Sequence, residues 1–135
     1  MIKALQIPDV VFQHVNETFQ ALLPEEGCGF LLGKNGAVTE FQPVENVLHS
    51  PVAYRMSPAD QIHAVLDAED RQLDVLAIIH SHPIGPSQLS ATDLREARWY
   101  DIAYVIVSFK HVKPEWRAWF FPADAPDQYE EIQLN

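Results

Sequence analysis

Apolar positions along the chain recur at several different periods, and each change of period marks a change of element. Residues 2 to 6 read as a short strand. Val11, Val15, Phe19 and Leu22 then return every three or four residues, a helical stripe with Pro8 at a first helical position and an end near Pro24. Two apolar runs follow, CGFLLG and AVTEF, joined by Lys34-Asn35-Gly36. An Asn-Gly pair between such runs predicts a hairpin, because both residues tolerate the positive φ of a tight turn. Ser57-Pro58 supplies a hydroxyl cap and a proline, and predicts a second helix with Ile62, Val65, Leu66 and Leu73 on one face.

The run LDVLAIIH has no polar alternation, which predicts a strand covered on both faces in the middle of a sheet. Beyond the loop PIGPSQL the pattern predicts a third helix from about Ser90 to Tyr100, then strands near AYVIVSF, EWRAWFF and YEEIQL. No repeat, low-complexity tract or linker interrupts this order. The expected fold class is α/β (α+β), a mixed central sheet with flanking helices in a single domain over 1–135.

Composition narrows the function. Nine Lys and Arg stand against nineteen Asp and Glu, a formal net charge of −10, and such a surface repels phosphate backbones. Nucleic acid is therefore not an expected partner. Nor is a membrane: no apolar stretch approaches the roughly 20 residues needed to span a bilayer, and MIKALQIPDVVFQ lacks the sections of a signal peptide. A cytoplasmic location is expected. The single cysteine, Cys28, can form no internal disulfide and no thiolate zinc site alone, so any metal would be held by nitrogen and oxygen.

The chemistry concentrates in His80-Ser81-His82-Pro83, with Ser90-Ala91-Thr92-Asp93 beginning seven residues beyond Pro83. Side chains at i and i+2 of a strand share a face, so both imidazoles can reach one ion. Asp93 follows a Pro- and Gly-containing loop that can fold back. Two His and one carboxylate, with a fourth position left open, form a catalytic rather than a structural zinc arrangement. Each half also has a purely local reading. A His-x-His pair alone is a weak metal signal, and Ser90-x-x-Asp93 has the form of a capping box. Their joint occurrence, with an upstream carboxylate in Pro24-Glu25-Glu26-Gly27-Cys28-Gly29, favours the functional reading.

Taken together, Glu26-Gly27-Cys28-Gly29, His80-Ser81-His82-Pro83 and Ser90-Ala91-Thr92-Asp93 resemble the JAMM metallopeptidases, also called MPN-plus or Mov34 domains, and the likeness runs over nearly the whole chain. It implies the JAMM/MPN fold, which is cytidine-deaminase-like. It also implies one Zn2+ per chain held by His80, His82 and Asp93, Glu26 as general acid/base and Ser90 as oxyanion stabiliser. The implied activity is hydrolysis of an amide bond at the C-terminus of a ubiquitin-like or sulfur-carrier protein, by a compact prokaryotic type of enzyme. A homodimer is compatible with this. Two other readings stay open: a non-catalytic scaffold domain of the same fold, and a zinc hydrolase of a small amide. Leu89, where relatives often carry Pro, and Trp99-Tyr100-Asp101 depart from the family pattern, which bears on loop shape and substrate choice. Glu25 neighbours Glu26, and the spacing to Cys28-Gly29 selects Glu26.

The remaining candidates have plainer readings. Gly27, Gly29 and Gly33 are spaced one residue too long for a dinucleotide loop and enter a hairpin. Cys28 reads as a small core residue. His14, His49, His63 and His111 are scattered singly, as surface histidines are. Trp116, Trp119, Phe120 and Phe121 read as a packed strand, and Trp99 as an edge of a substrate groove.

Overall fold

The computed structural model describes residues 2–135. Its elements run β1 (Ala4–Leu5), α1 (Asp9–Leu22), β2 (Cys28–Lys34), β3 (Ala37–Val44), α2 (Pro58–Asp70), β4 (Asp74–His82), α3 (Ala91–Glu96), β5 (Ile102–Ser108), β6 (Glu115–Phe121), a 3-10 turn at Pro126–Gln128, and β7 (Glu130–Leu134). The strands form one mixed sheet in the order β1-β7-β6-β5-β4-β2-β3. Among the described strands, the β4/β5 and β1/β7 pairs are parallel and the others antiparallel. Gln6 bridges Ala37, its N–H donating to the Gly36 carbonyl at 2.9 Å while its own carbonyl accepts from Val38 N–H at 2.9 Å. The two edges of the sheet are thus drawn together around α1, which hides part of each edge from pairing with other chains.

Strand alternation sorts the core into two faces. On one, Val11, Val15 and Phe19 of α1 pack with Leu31, Phe41, Ala77, Ile79, Val105 and Val107. On the other, Ala64 and Ala68 of α2 pack with Phe30, Leu32, Ile78, Tyr104, Ile106 and Trp119. Covering on both faces explains the unbroken apolar run of β4. Fully buried side chains such as Ile79 and Val105 each stabilise the fold by about 1.5–3 kcal/mol. Among the described residues no helix is long and apolar enough to cross a membrane.

The hairpin forms at the expected place, with Asn35 and Gly36 at φ 52° and 79°. Cys28 is buried, and burial pushes its thiol up to about 12, so it is a core residue. Two helices differ from expectation. The buried face of α2 is Ala64 and Ala68, while Ile62 and Leu66 are more than half exposed and Leu73 lies past the helix end. Small residues let the helix approach the sheet closely, which turns the larger aliphatics outward. The third helix stops at Glu96 instead of Tyr100. There the Arg98 guanidinium donates to the carbonyls of Arg95 (2.7 Å) and Ala97 (3.0 Å). The Tyr104 hydroxyl accepts the backbone N–H groups of Arg98 (3.2 Å) and Trp99 (3.0 Å). These side chains take over the bonds that another turn of helix would have used.

Gly33 sits where the β2 register shifts against β3, and a Cβ there would collide with the Ala37 carbonyl oxygen. Gly33→Ala is expected to lower unfolding stability by about 1–3 kcal/mol, read as a lower midpoint in urea. An unchanged midpoint would contradict this packing.

Candidate metal centre

His80 and His82 end β4, between β2 and the parallel neighbour β5. They share parity with Ile78, so both rings project to the α2 side of the sheet. Ser81 points the other way, and its hydroxyl accepts the Gly27 N–H at 2.8 Å, while Ser81 N–H donates to the Gly27 carbonyl at 3.0 Å. The residue between the two histidines therefore fastens the chain next to Glu26.

Each imidazole is held differently. His82 Nδ1 meets the Pro86 carbonyl at 2.7 Å, a contact that requires Nδ1 to carry the proton and leaves Nε2 as the free electron pair of the neutral ring. The loop supplying that carbonyl is itself fixed. Ser108 Oγ donates to the Gly85 carbonyl at 2.6 Å, Phe109 N–H donates to the His82 carbonyl at 3.0 Å, and the Ser87 hydroxyl donates to Glu115. His80 is fully buried, and the Tyr54 ring stacks on it at 4.6 Å and 28°.

Asp93 arrives from α3 through a capping box: Ser90 N–H donates to Asp93 Oδ2 at 2.9 Å, and Asp93 N–H donates to Ser90 Oγ at 3.0 Å. Asp93 Oδ1 then lies 3.1 Å from His80 Nε2, Asp93 Oδ2 lies 3.1 Å from His82 Nε2, and the two Nε2 atoms are 3.1 Å apart. With zinc-like bonds of about 2.0–2.1 Å, neighbouring ligands of a tetrahedral ion stand about 3.3 Å apart. The donor set therefore fits a single metal ion. It is an awkward arrangement otherwise, because two imidazole nitrogens facing each other can share only one proton.

Electrostatics follow the same geometry. Burial lowers the His80 pKa. Burial is the largest single influence on His82 and opposes its charge, but the contact with Asp93, the Pro86 carbonyl and the nearby Glu26 carboxyl together outweigh it and raise the pKa. Asp93 is desolvated, yet its contacts with the His80 and His82 imidazoles hold its carboxyl well below the usual carboxylate range.

Glu26 is 5% exposed, and burial pushes its carboxyl up to about 8. Its Oε1 is buried with no hydrogen-bond partner. It shares a cleft with His82 and Ser90, walled by Pro51, Val52, Pro83 and Ile84. A cation on the three ligands would draw this carboxyl toward its charged form. Glu25 turns away, with Oε1 2.9 Å from exposed His49 Nδ1, so the geometry separates the two neighbouring carboxylates as the spacing does. Ser90 is exposed at the same cleft. Its oxygen is occupied as an acceptor of the cap, and its O–H proton remains available to donate.

All five candidate residues thus come together. Trp99 lines a second groove with Tyr54, Thr92 and Arg98. His14, His49, His63 and His111 are exposed and lie outside the cluster. Tyr54 and the buttressing role of Ser81 were not anticipated. Alternation along β4 could have placed Ser81 opposite the imidazoles, whereas nothing in the spacing announces a ring from residue 54 stacked on His80.

Comparison with known proteins decides the family. The model of the prokaryotic homologs of the JAB domain matches residues 8–122. The chain belongs to this family. A relative from Pyrococcus furiosus named desampylase is 36% identical over 94 residues, 70% of this chain and 65% of its own length. A relative from Thermus thermophilus, named a probable TtuB-protein conjugate cleaving protease, is 36% identical over 103 residues, 76% of this chain and 68% of its own length. This prokaryotic JAB chain also shares its fold with the crystal structure of a JAB1/MPN domain protein from Archaeoglobus fulgidus. That match has a TM-score of 0.62 at 15% identity and covers 99% of this chain and 100% of that one.

Metal-free protein titrated with a divalent transition-metal ion is expected to take up one ion per chain and to unfold at higher temperature. Binding to the folded state alone contributes about 2.7 kcal/mol at a free ion concentration of about a hundred times Kd. His80→Ala and Asp93→Asn should lose both effects. A His80→Ala protein that still binds one equivalent would remove His80 from the centre.

Proposed function

We propose that residues 1–135 act as a single catalytic domain, a zinc peptidase that hydrolyses an amide bond at the C-terminus of a ubiquitin-like or sulfur-carrier protein. His80, His82 and Asp93 hold the metal, Glu26 serves as general acid/base, and Ser90 stabilises the oxyanion. The observation that carries the reading is the convergence of three donor atoms beside a buried carboxylate whose Oε1 has no partner. The names of the Pyrococcus and Thermus relatives support the substrate class.

When bound, zinc supplies a Lewis acid that lowers the pKa of water to about 7 and polarises a carbonyl. Glu26 accepts the proton of the attacking water as the new C–O bond forms. It delivers that proton to the departing nitrogen as the C–N bond breaks, so one carboxyl serves both halves of the reaction. The Ser90 hydroxyl donates to the former carbonyl oxygen as it gains charge, and a single such donor is worth about 3–4 kcal/mol. Pro51, Val52, Pro83, Ile84 and Leu89 give the cleft an apolar wall against which a substrate segment can be held with water excluded. His82 keeps its Nε2 electron pair turned inward because Nδ1 is engaged by Pro86.

Zinc-loaded protein is expected to cleave a ubiquitin-like protein that carries a peptide amide-linked to its C-terminus, and chelation should abolish this. Glu26→Gln should retain one zinc and lose roughly a hundredfold or more in rate, while Glu25→Gln stays close to wild type. Full activity of zinc-loaded Glu26→Gln would exclude Glu26 as the proton carrier, and no cleavage by the zinc-loaded wild type would overturn the reading itself.

A further inference from the structure

Glu26 belongs to no regular element. It lies between the end of α1 and the start of β2, and its buried Oε1 has no hydrogen-bond partner to aim it. Its backbone must do so. The Glu26 N–H donates to the Ser50 carbonyl at 2.8 Å, and the Glu26 carbonyl accepts from Asn46 Nδ2 at 3.0 Å. Both of its peptide groups are therefore tied to the segment that connects β3 with α2.

Asn46 is the hub of that segment. It is 7% exposed, and its amide makes four hydrogen bonds. Nδ2 donates to the carbonyls of Glu26 and of Ala53, the latter at 3.1 Å, and Oδ1 accepts from the N–H groups of Leu48 and Arg55 at 3.1 Å each. A primary amide has two N–H donors and two lone pairs, and all four are used. Ala53 and Arg55 flank Tyr54, the residue whose ring stacks on His80. Pro51 and Val52 of the same segment wall the cleft. One buried side chain thus grips the backbone of Glu26 and both sides of Tyr54.

We propose that Asn46 is a positioning residue for Glu26, setting the carboxylate against the scissile bond and acting on turnover through it. This rests on the reading of Glu26 as the proton carrier. Breaking the link leaves the Glu26–Gly27 peptide held only through the Gly27 N–H by Ser81, so a carboxylate whose Oε1 has no partner can shift, and a misplacement of about 1 Å can cost roughly a hundredfold in rate. Substrate binding along the cleft and metal binding by β4 and α3 do not require the Asn46–Glu26 bond, so the loss should fall on kcat.

The test uses full-length zinc-loaded protein with Asn46→Ala, and with Asn46→Asp as a variant of similar shape that leaves no cavity. Each is made in the wild-type and Glu26→Gln backgrounds and assayed on the amide-linked ubiquitin-like substrate. In the wild-type background kcat should fall by roughly tenfold or more, with zinc content at one and KM within about threefold. In the Glu26→Gln background the same change should cost no more than about twofold, because two changes acting through one group do not add. Independently of activity, hydrogen exchange of the Glu26 amide should quicken in both variants while the amides of Ile79 and Val105 keep their protection. Unchanged kcat, an undiminished loss in the Glu26→Gln background, or unchanged exchange at Glu26 would overturn the proposal. So would unfolding or zinc loss in Asn46→Asp, which would make the residue merely structural. If the wild type cleaves nothing, the activity reading has failed, and the exchange measurement still decides whether Asn46 holds Glu26.

Discussion

Three potential ligand atoms, two of them imidazole nitrogens, are brought to about 3.1 Å of one another, and the Pro86 carbonyl draws the His82 proton away from them. That convergence is the constraint on which the rest of the site depends. Left without a cation it is costly, since desolvated nitrogens face each other and a carboxylate must answer both. The fold answers the cost with rigidity. β4 is paired with β2 from Asp74 to His80 and with β5 from Ala77 to His82, and the loop beyond it is fixed by Ser108, Ser87 and the His82–Pro86 contact. α3 has six residues and buries none of them, too short a helix to persist by propensity or packing. Its orientation comes from Asp93, whose Oδ2 both closes the capping box and faces His82. The local reading and the chemical reading of Ser90-x-x-Asp93 are therefore the same structure serving twice.

The side of the site that carries Glu26 obeys a different logic. The proposed metal ligands are carried by a central strand and by a helix that Asp93 itself orients. Glu26, in contrast, lies outside regular structure and depends on backbone bonds to a connecting segment. Gly27 beside it is obligatory, since a Cβ there would run into the Phe19 ring. Thus α1 and its core packing limit where Glu26 can lie, and Ser81 and Asn46 hold opposite sides of the peptide that follows it, Ser81 at the Gly27 N–H and Asn46 at the Glu26 carbonyl. The site draws on both faces of the sheet, with His80, His82 and Tyr54 on the α2 side and Ser81 and Phe19 on the α1 side.

Much of this was legible in the sequence where a local rule and a tertiary demand coincide. Asn35-Gly36 specified the hairpin, the unbroken run before His80 specified a central strand, and the i, i+2 spacing put both imidazoles on one face. Legibility ended where a distant side chain replaced a local one. The third helix ends at Glu96 because Tyr104 accepts from Arg98 and Trp99, a partner that helical periodicity cannot see. Ile62 and Leu66 share a helical spacing with buried residues, yet close approach through Ala64 and Ala68 leaves them outside. Tyr54 and Asn46 act through stacking and through backbone groups, which impose no residue pattern on their partners.

In the proposed centre His80, His82 and Asp93 alone bind the metal while Glu26 stands beside it unligated. An anomalous-scattering map of crystals of the zinc-loaded protein tests this directly. One zinc peak per chain is expected, bonded at about 2.0–2.2 Å to the two histidine nitrogens and one Asp93 oxygen, with the Glu26 carboxylate outside bonding distance. A peak bonded to Glu26 or to Cys28, or one lying away from His80 and His82, would contradict it.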